Sequence, residues 1–387
     1  MAGYIFAMGE VQSVFDCIRK GIYSTYMSPK WNSTKYATFS DYMAMKPGDN
    51  VYFFAKRMVY GIGEIADFAE NTTVINNFPS LLSNTIDADQ TLLPSTLISK
   101  GNKVRQWIIR FIPSPYFYEK GIDMDALLQS DPDAFRSLRV FSRKSFIKFD
   151  DRENQAFRAA LFRINTNAGS NGKPKIIESN PGTGLEQITN KLTNYKESFA
   201  SRRTTVAPLL ASRRLSNGSS KVEMLVEAGL LEQLTRSNPS AEKIFGHWDY
   251  LSHQVAASPL KPIQYMDFID VFGYKWIPDI PDRVISQYLI VEIKSGTSSG
   301  LKNGGDVNQV MKYVDWVCDN YANGDYSQIK AFLVAHDFEK NSSQDSPQSI
   351  IRNYTISHRP ARTEQWNDLT LVTYNVEKDG SLTFQKA

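Results

Sequence analysis

The stretch YLIVEIKSG, Tyr288–Gly296, decides the fold of the chain's second half. Its run of Tyr, Leu, Ile and Val is what fills a buried strand. An extended backbone sends alternate side chains to opposite faces. Leu289, Val291 and Ile293 therefore share one face, and Glu292 and Lys294 share the other. A carboxylate and an ammonium two positions apart on an apolar strand are either a paired structural charge or part of a site. E-x-K is by itself a common accident, so the surroundings decide.

On the N-terminal side, KVEMLVEAGLLEQL (221–234) repeats Val222, Leu225, Val226, Leu230, Leu231 and Leu234 on one helical face. FIDVFGYKW (268–276) predicts a strand, with a turn expected at Gly273. On the C-terminal side, VNQVMKYVDWVCDNY (307–321) predicts a helix, IKAFLVAHDF (329–338) a strand, and LTLVTYNV and SLTF later strands. This α-β-β-α-β order describes a mixed sheet flanked by helices.

If the two central strands pair, Asp270 and Glu292 converge at one end of the sheet with Lys294 beside them, and Glu227 approaches from the helix before. Hard carboxylate oxygens suit Mg2+ or Mn2+. The chemistry of such a site is phosphodiester hydrolysis: Asp270 and Glu292 hold the ion and Glu227 completes its shell. Lys294 orients or deprotonates water and offsets developing charge. Asp267 and Glu223 compete for the roles given to Asp270 and Glu227. Gln309 and Tyr313 share a helical face, where packing and support of the site are both open. His253 and His336 are read as ordinary histidines.

In its order and spacing, the set Glu227, Asp270, Glu292-x-Lys294, Gln309 and Tyr313 resembles the PD-(D/E)XK nuclease superfamily. EAGLLEQLTRSNPS, FIDVFGY, YLIVEIKSG and NQVMKYV look like the catalytic domain of NucS-type endonucleases and their restriction relatives. The resemblance covers roughly 221–338; Ile269 stands where the family's Pro precedes the Asp. It implies a restriction-endonuclease-like fold in which Glu227, Asp270, Glu292 and Lys294 are catalytic and Gln309 supports them.

The first half lacks such an acid cluster. KPGDNVYFFAKRMVYGIGEI (46–65) reads as a turn and a hairpin with Lys56 and Arg57 at its tip. QWIIRFI (106–112) and 145–149 read as strands, and 124–130 and DDRENQAFRAALFRI as helices. Together they suggest a small curved β-barrel with flanking helices. Tyr23, Tyr26 and Trp31 in GIYSTYMSPKWN, and Trp107 at the head of its strand, are either core or faces on which a base stacks. Arg143 and Lys144 lie in a basic stretch interleaved with phenylalanines, a pattern of nucleic-acid contact and of half-buried strands alike. GIYST, the hairpin, QWIIRFI and SFIKFDDREN resemble the PUA-like superfamily, especially its YTH and EVE branches, over roughly 4–165. The resemblance implies a modified-base reader with Tyr23 in place of the tryptophan of the YTH pocket wall.

A length of 387 residues favours two domains. The expected division is a reader domain at 1–165, a linker and helical connector at 166–220 and a nuclease domain at 221–387, an α+β or α/β chain overall. A net charge of +3 makes any nucleic-acid binding local. Cys17 and Cys318 read as buried thiols, and the four histidines never take zinc-ligand spacing. No signal peptide or membrane-length apolar run is read, so a cytoplasmic setting is expected. The expected partner is modified double-stranded DNA, cut by a homodimer. A mismatch or branched-structure repair endonuclease and a non-catalytic reader are the alternatives.

Overall fold

A computed structural model describes residues 2–387 apart from 70, 83–89, 94–98, 101–102, 114–120, 136–145, 168–181, 260–264, 281–282, 302–304, 340–348 and 358. The chain forms two compact units, Met1–Thr205 and Val206–Ala387. Both mix helices with sheets, as the patterning predicts. Among the described residues, no helix is long and apolar enough to cross a membrane. Cys17 and Cys318 are free and buried.

The first unit runs β1 (Gly3–Met8), α1 (Val11–Lys20), β2 (Ile22–Tyr23), β3 (Tyr26–Met27), α2 (Ser33–Met43), β4 (Asn50–Ala55), β5 (Met58–Ala66), β6 (Val74–Asn76), β7 (Ser99–Lys100), β8 (Lys103–Arg105), β9 (Trp107–Pro113), β10 (Ile122–Asp123), α3 (Met124–Ser130), β11 (Phe146–Phe149), α4 (Asp151–Asn167) and α5 (Gly182–Tyr195). Its main sheet follows the path β11-β1-β4-β5-β9-β2, with β10 on β5 and β6 on β9; β3, β8 and β7 make a second sheet. β1 and β4 are parallel. No pairing among the described residues joins β11 to β2, so closure of a barrel is not seen. Ile5, Tyr52, Phe149, Phe157 and Leu161 fill one core between this sheet and its helices.

The segment 166–220, expected to connect two domains, divides between the units. Ile188 and Leu192 of α5 are buried with Ile22, Ile75, Leu92 and Ile108. At Gly184 a Cβ would overlap the Lys20 carbonyl and Ile22, so only glycine lets α5 approach this closely. The side chain of Arg202 is buried: it donates to the carbonyls of Asn77 (3.2 Å) and Gln90 (3.1 Å) and pairs with Glu197. Such a cation stays buried only because its N–H groups are satisfied. Arg202→Ala strips donors from these carbonyls and leaves a void, and should destabilise the first unit by about 2–4 kcal/mol in urea unfolding. A change within 0.5 kcal/mol would show that the three bonds hold nothing.

The second unit runs α6 (Ala207–Arg213), α7 (Glu223–Thr235), α8 (Pro239–Phe245), β12 (Tyr250–Ala256), β13 (Phe268–Trp276), β14 (Ile285–Ser298), α9 (Asp306–Asn320), β15 (Ile329–Phe338), β16 (Arg352–Ile356), β17 (Arg362–Trp366), β18 (Leu369–Val376) and β19 (Leu382–Lys386). Its mixed sheet has the order β12-β13-β14-β15-β18-β19. β14 pairs antiparallel with β13 and parallel with β15. It lies mid-sheet and is buried on both faces: Leu289, Val291 and Ile293 on one, Ile290 and Glu292 on the other. α7 packs on β12 and β14, and α9 on β14 and β15.

Two details near the central strands differ from the sequence reading. An additional strand, β12, precedes β13. Gly273 is no turn but lies inside β13, where a Cβ would stand 2.7 Å from the Tyr250 carbonyl; close strand packing requires it.

Candidate functional site

The antiparallel ladder between β13 and β14 stops at Val271–Val291. Beyond that point, Asp270 Oδ2 accepts the N–H of Ile293 at 2.8 Å, so a side chain replaces the missing backbone acceptor. This places the Asp270 carboxyl beside Glu292, close enough for the Glu292 charge to raise its pKa. α7 brings Glu227, only 2 % exposed, to the same place. Glu223 lies one turn earlier on α7, and its Oε2 accepts the Ser295 N–H at 2.9 Å. Glu223, Glu227 and Asp270 each offer a carboxylate oxygen within 4.8 Å of the others, a grouping able to hold a metal ion.

Lys294 Nζ donates to Glu292 Oε1 at 2.6 Å and to Gln309 Oε1 at 3.2 Å, and Gln309 Nε2 donates to the Tyr313 hydroxyl at 2.9 Å. Glu292, Lys294, Gln309 and Tyr313 thus form one chain of hydrogen bonds. Asp267 lies apart from it, bound to Lys312 Nζ at 2.6 Å. Of the two competitors, Glu223 joins the acidic group and Asp267 does not.

β12 supplies two residues whose role the sequence reading missed. His253 Nε2 lies 3.2 Å from Glu227 Oε2, and both side chains are buried. Gln254 Nε2 donates to Asp270 Oδ1 at 2.9 Å and to Glu227 Oε2 at 3.3 Å. Successive residues of a strand point to opposite faces. Gln254 breaks that rule through a left-handed φ of 51°, which lets neighbouring side chains reach one carboxylate. In the sequence, the alternation of LSHQVA is blurred at the same residues.

The electrostatics follow from crowding acids in a buried place. Burial, then the charges of Glu227 and Glu292, push Asp270 well above the usual carboxylate range against the pull of the Ile293 N–H. Burial pushes Glu292 up to about 7 although the Lys294 ammonium opposes it. Burial also raises Glu223, again against Lys294. For Lys294 itself burial acts downward, but Glu292 and its neighbours outweigh it and raise the ammonium above its ordinary value. Acids exceed buried cations here, and either protons or a cation must relieve the excess. Glu292 Oε2 is buried and accepts no N–H or O–H among the described residues. That orphaned oxygen, the neighbouring acids and the all-oxygen donor set fit Mg2+ or Mn2+.

In the first unit, Tyr23 is 2 % exposed and stacks on Phe6 with centroids 4.3 Å apart. Trp107 is fully buried against Phe39 and Tyr42. Both fill the core. Trp31 is half-buried, stacks on Tyr36, and carries the buried Lys35 ammonium 4.5 Å from its ring centre. Tyr26 lies under the Arg105 guanidinium, 4.3 Å away. Lys56 and Arg57 form the hairpin tip with left-handed φ values; Lys56 pairs with Glu10 at 3.5 Å and Arg57 with Asp125. Arg143 and Lys144 lie outside the described residues.

An open cleft with a cavity of about 50 Å³ lies beside α1, lined by Ser13, Asp16, Cys17, Lys20, Ser24, Leu92, Leu93 and Arg105 with part of α5. Ser24 Oγ and Arg105 Nε, both buried atoms, have no hydrogen-bond partner there among the described residues.

The chain matches no family model and no curated protein. Among solved structures, a Pseudomonas putida protein is 11% identical with a TM-score of 0.26, covering 41% of this chain and 99% of its own. A hypothetical protein from Leishmania major is 14% identical with a TM-score of 0.27, covering 43% and 96%. A repair endonuclease from Pyrococcus abyssi is 19% identical with a TM-score of 0.18; the match covers 30% of this chain and 39% of that one. None of these likenesses bears on activity.

Proposed function

We propose that the chain is a metal-dependent DNA endonuclease of the PD-(D/E)XK type, acting in the cytoplasm as a homodimer in modification-dependent restriction. The observation that carries the catalytic part is a buried Glu292 that stands beside Asp270 of the acidic grouping, with Oε1 on the Lys294 ammonium and Oε2 orphaned.

Asp270, Glu292, Glu227 and Glu223 would hold the ion. When bound, Mg2+ or Mn2+ supplies charge neutralisation at a phosphoryl oxygen and acidifies water. The remaining work falls to this chain's own residues. Lys294 remains an ammonium at neutral pH, because Glu292 outweighs its burial. Its role is therefore to donate to a phosphate oxygen or to orient water, and to offset charge developing in the transition state. Gln309, held by Tyr313, fixes the direction of that ammonium. Asp270 is oriented in turn by the Ile293 N–H.

The first unit would supply recognition of a modified or flipped base. The pocket beside α1 is the surface assigned to it: the enclosed space is small, about 50 Å³, and the rest of the cleft is open to solvent. Leu92 and Leu93 offer apolar wall, and Ser24 and Arg105 line the pocket with buried polar atoms, Oγ and Nε, that have no partner among the described residues and that a bound base would reach only after a small shift of these side chains. A base taken out of the duplex presents both a flat apolar body and polar edges. The contact surface is thus read here from Ser24 and Arg105 rather than from Tyr23 and Trp107.

The test is parallel digestion of modified, unmodified and mismatched duplexes with Mg2+ or with chelator. Cleavage confined to modified DNA with metal is expected. Equal cleavage of all duplexes would remove the restriction role, preferential cleavage of mismatched DNA would favour repair, and no cleavage of any would remove the nuclease.

A further inference from the structure

We infer that the Gln254 carboxamide stands in for the cation in the metal-free protein, so that it sets how tightly the second unit takes up metal. The inference rests on the metal-site reading above and concerns a residue that reading does not need. One amide nitrogen donates to both Asp270 Oδ1 and Glu227 Oε2, at 2.9 and 3.3 Å. These two carboxylates belong to the grouping able to hold an ion. Turned the other way, the amide would set its oxygen against two carboxylates, so the donor orientation is the one that the partners demand. A small group carrying partial positive charge thus bridges the same acids that an ion would bridge.

The backbone supports the assignment. Gln254 lies in β12 yet has a φ of 51°, in the left-handed region where a side chain other than glycine is unfavourable. Such a conformation persists where the surroundings over-determine it. Here the surroundings are the two acids of the site, and His253 Nε2, one residue earlier, lies 3.2 Å from Glu227 Oε2. Metal entry must displace both hydrogen bonds of the amide, and free energy spent on that release is subtracted from binding. Gln254 is therefore a positioning residue that competes with the ion and keeps the acids in place until it arrives.

The test compares the chelator-treated full chain with Gln254→Met, which keeps side-chain length and the cost of the left-handed φ but removes the amide. Gln254→Gly serves as the second variant, since it relieves the φ as well. Free Mn2+ is titrated by electron paramagnetic resonance, and thermal unfolding is followed with EDTA and with saturating Mn2+. The variants should bind Mn2+ about five- to tenfold more tightly than the wild type. They should also unfold earlier in EDTA, with the deficit shrinking when Mn2+ saturates the site. Equal or weaker Mn2+ binding by both variants overturns the inference alone, because a merely structural residue would lower stability without raising affinity. No Mn2+ uptake by wild type or variants overturns the metal-site reading and this inference with it.

Discussion

Lys294→Met should lower metal-dependent DNA cleavage about 10³-fold, roughly 4 kcal/mol of transition-state stabilisation. It should not weaken Mn2+ binding. The two halves of the expectation come from one geometry. Lys294 Nζ lies 2.6 Å from Glu292 Oε1 and is held above its ordinary pKa by the acids around it. Removing it takes a positive charge away from the place where a second positive charge must bind, so uptake stays equal or tightens. What is lost is the donor that faces charge developing on phosphate. Glu292→Gln should act differently. It removes a carboxylate whose Oε2 is buried without a donor, so Mn2+ affinity and cleavage should fall together. Single-turnover cleavage alongside Mn2+ titration separates the two variants. Lys294→Met retaining activity within threefold of wild type would exclude Lys294 from the chemistry.

The second large effect is on pH. Glu292 titrates at about 7 and Asp270 is raised well above the carboxylate range, in both cases chiefly by burial. An ion must displace these protons, so Mn2+ affinity should fall on acidification, by about tenfold between pH 8 and pH 6 for one proton and by more where the coupled Asp270 proton is also displaced. The metal-free protein should show the opposite trend. Its folded-state pKa values lie above those of an unfolded carboxyl, so the folded state binds the extra protons. That stabilisation is present at acid pH and is lost as pH rises through about 7, amounting to about 1.4 kcal/mol between pH 6 and pH 8 for the Glu292 proton. Melting temperatures in EDTA should therefore decline from pH 6 to pH 8, and Mn2+ should restore them most at pH 8. A gain from Mn2+ that is flat across this range would mean that Glu292 and Asp270 do not hold the ion.

Much of the second unit was legible because its elements are long and periodic. Phe268–Trp276 and Ile329–Phe338 fall on the strands expected, and the α7 and α9 stripes differ from expectation by one or two residues at their ends. The order of Glu227, Asp270, Glu292 and Lys294 could be read, but their convergence depended on strand pairing that no local pattern encodes. Glu223 could not be separated from Glu227, since both lie on one helix a turn apart. Tertiary contact distinguishes their tasks: Glu223 accepts the Ser295 N–H, and Glu227 meets His253 and Gln254. β12 went unread because its alternation fails at Gln254, where the backbone departs from the strand region.

The first unit was less legible, for a related reason. Tyr23 and Trp107 have the same composition signature as core residues and as base-stacking residues; only burial distinguishes the two. Ser24 and Arg105 became visible as candidates only when their buried polar atoms proved to have no partner among the described residues. A deficit of hydrogen bonds is a property of packing, and sequence patterning does not carry it.

Anyone wishing to handle the two halves as separate recombinant polypeptides would be drawn to the glycine- and asparagine-rich run after α4 as the place to cut. Because Arg202 and α5 complete the interior of the N-terminal half, that cut would leave one product with an open hydrophobic wound and burden the other with an orphan helix. Division between Thr205 and Val206 keeps each fragment's interior whole.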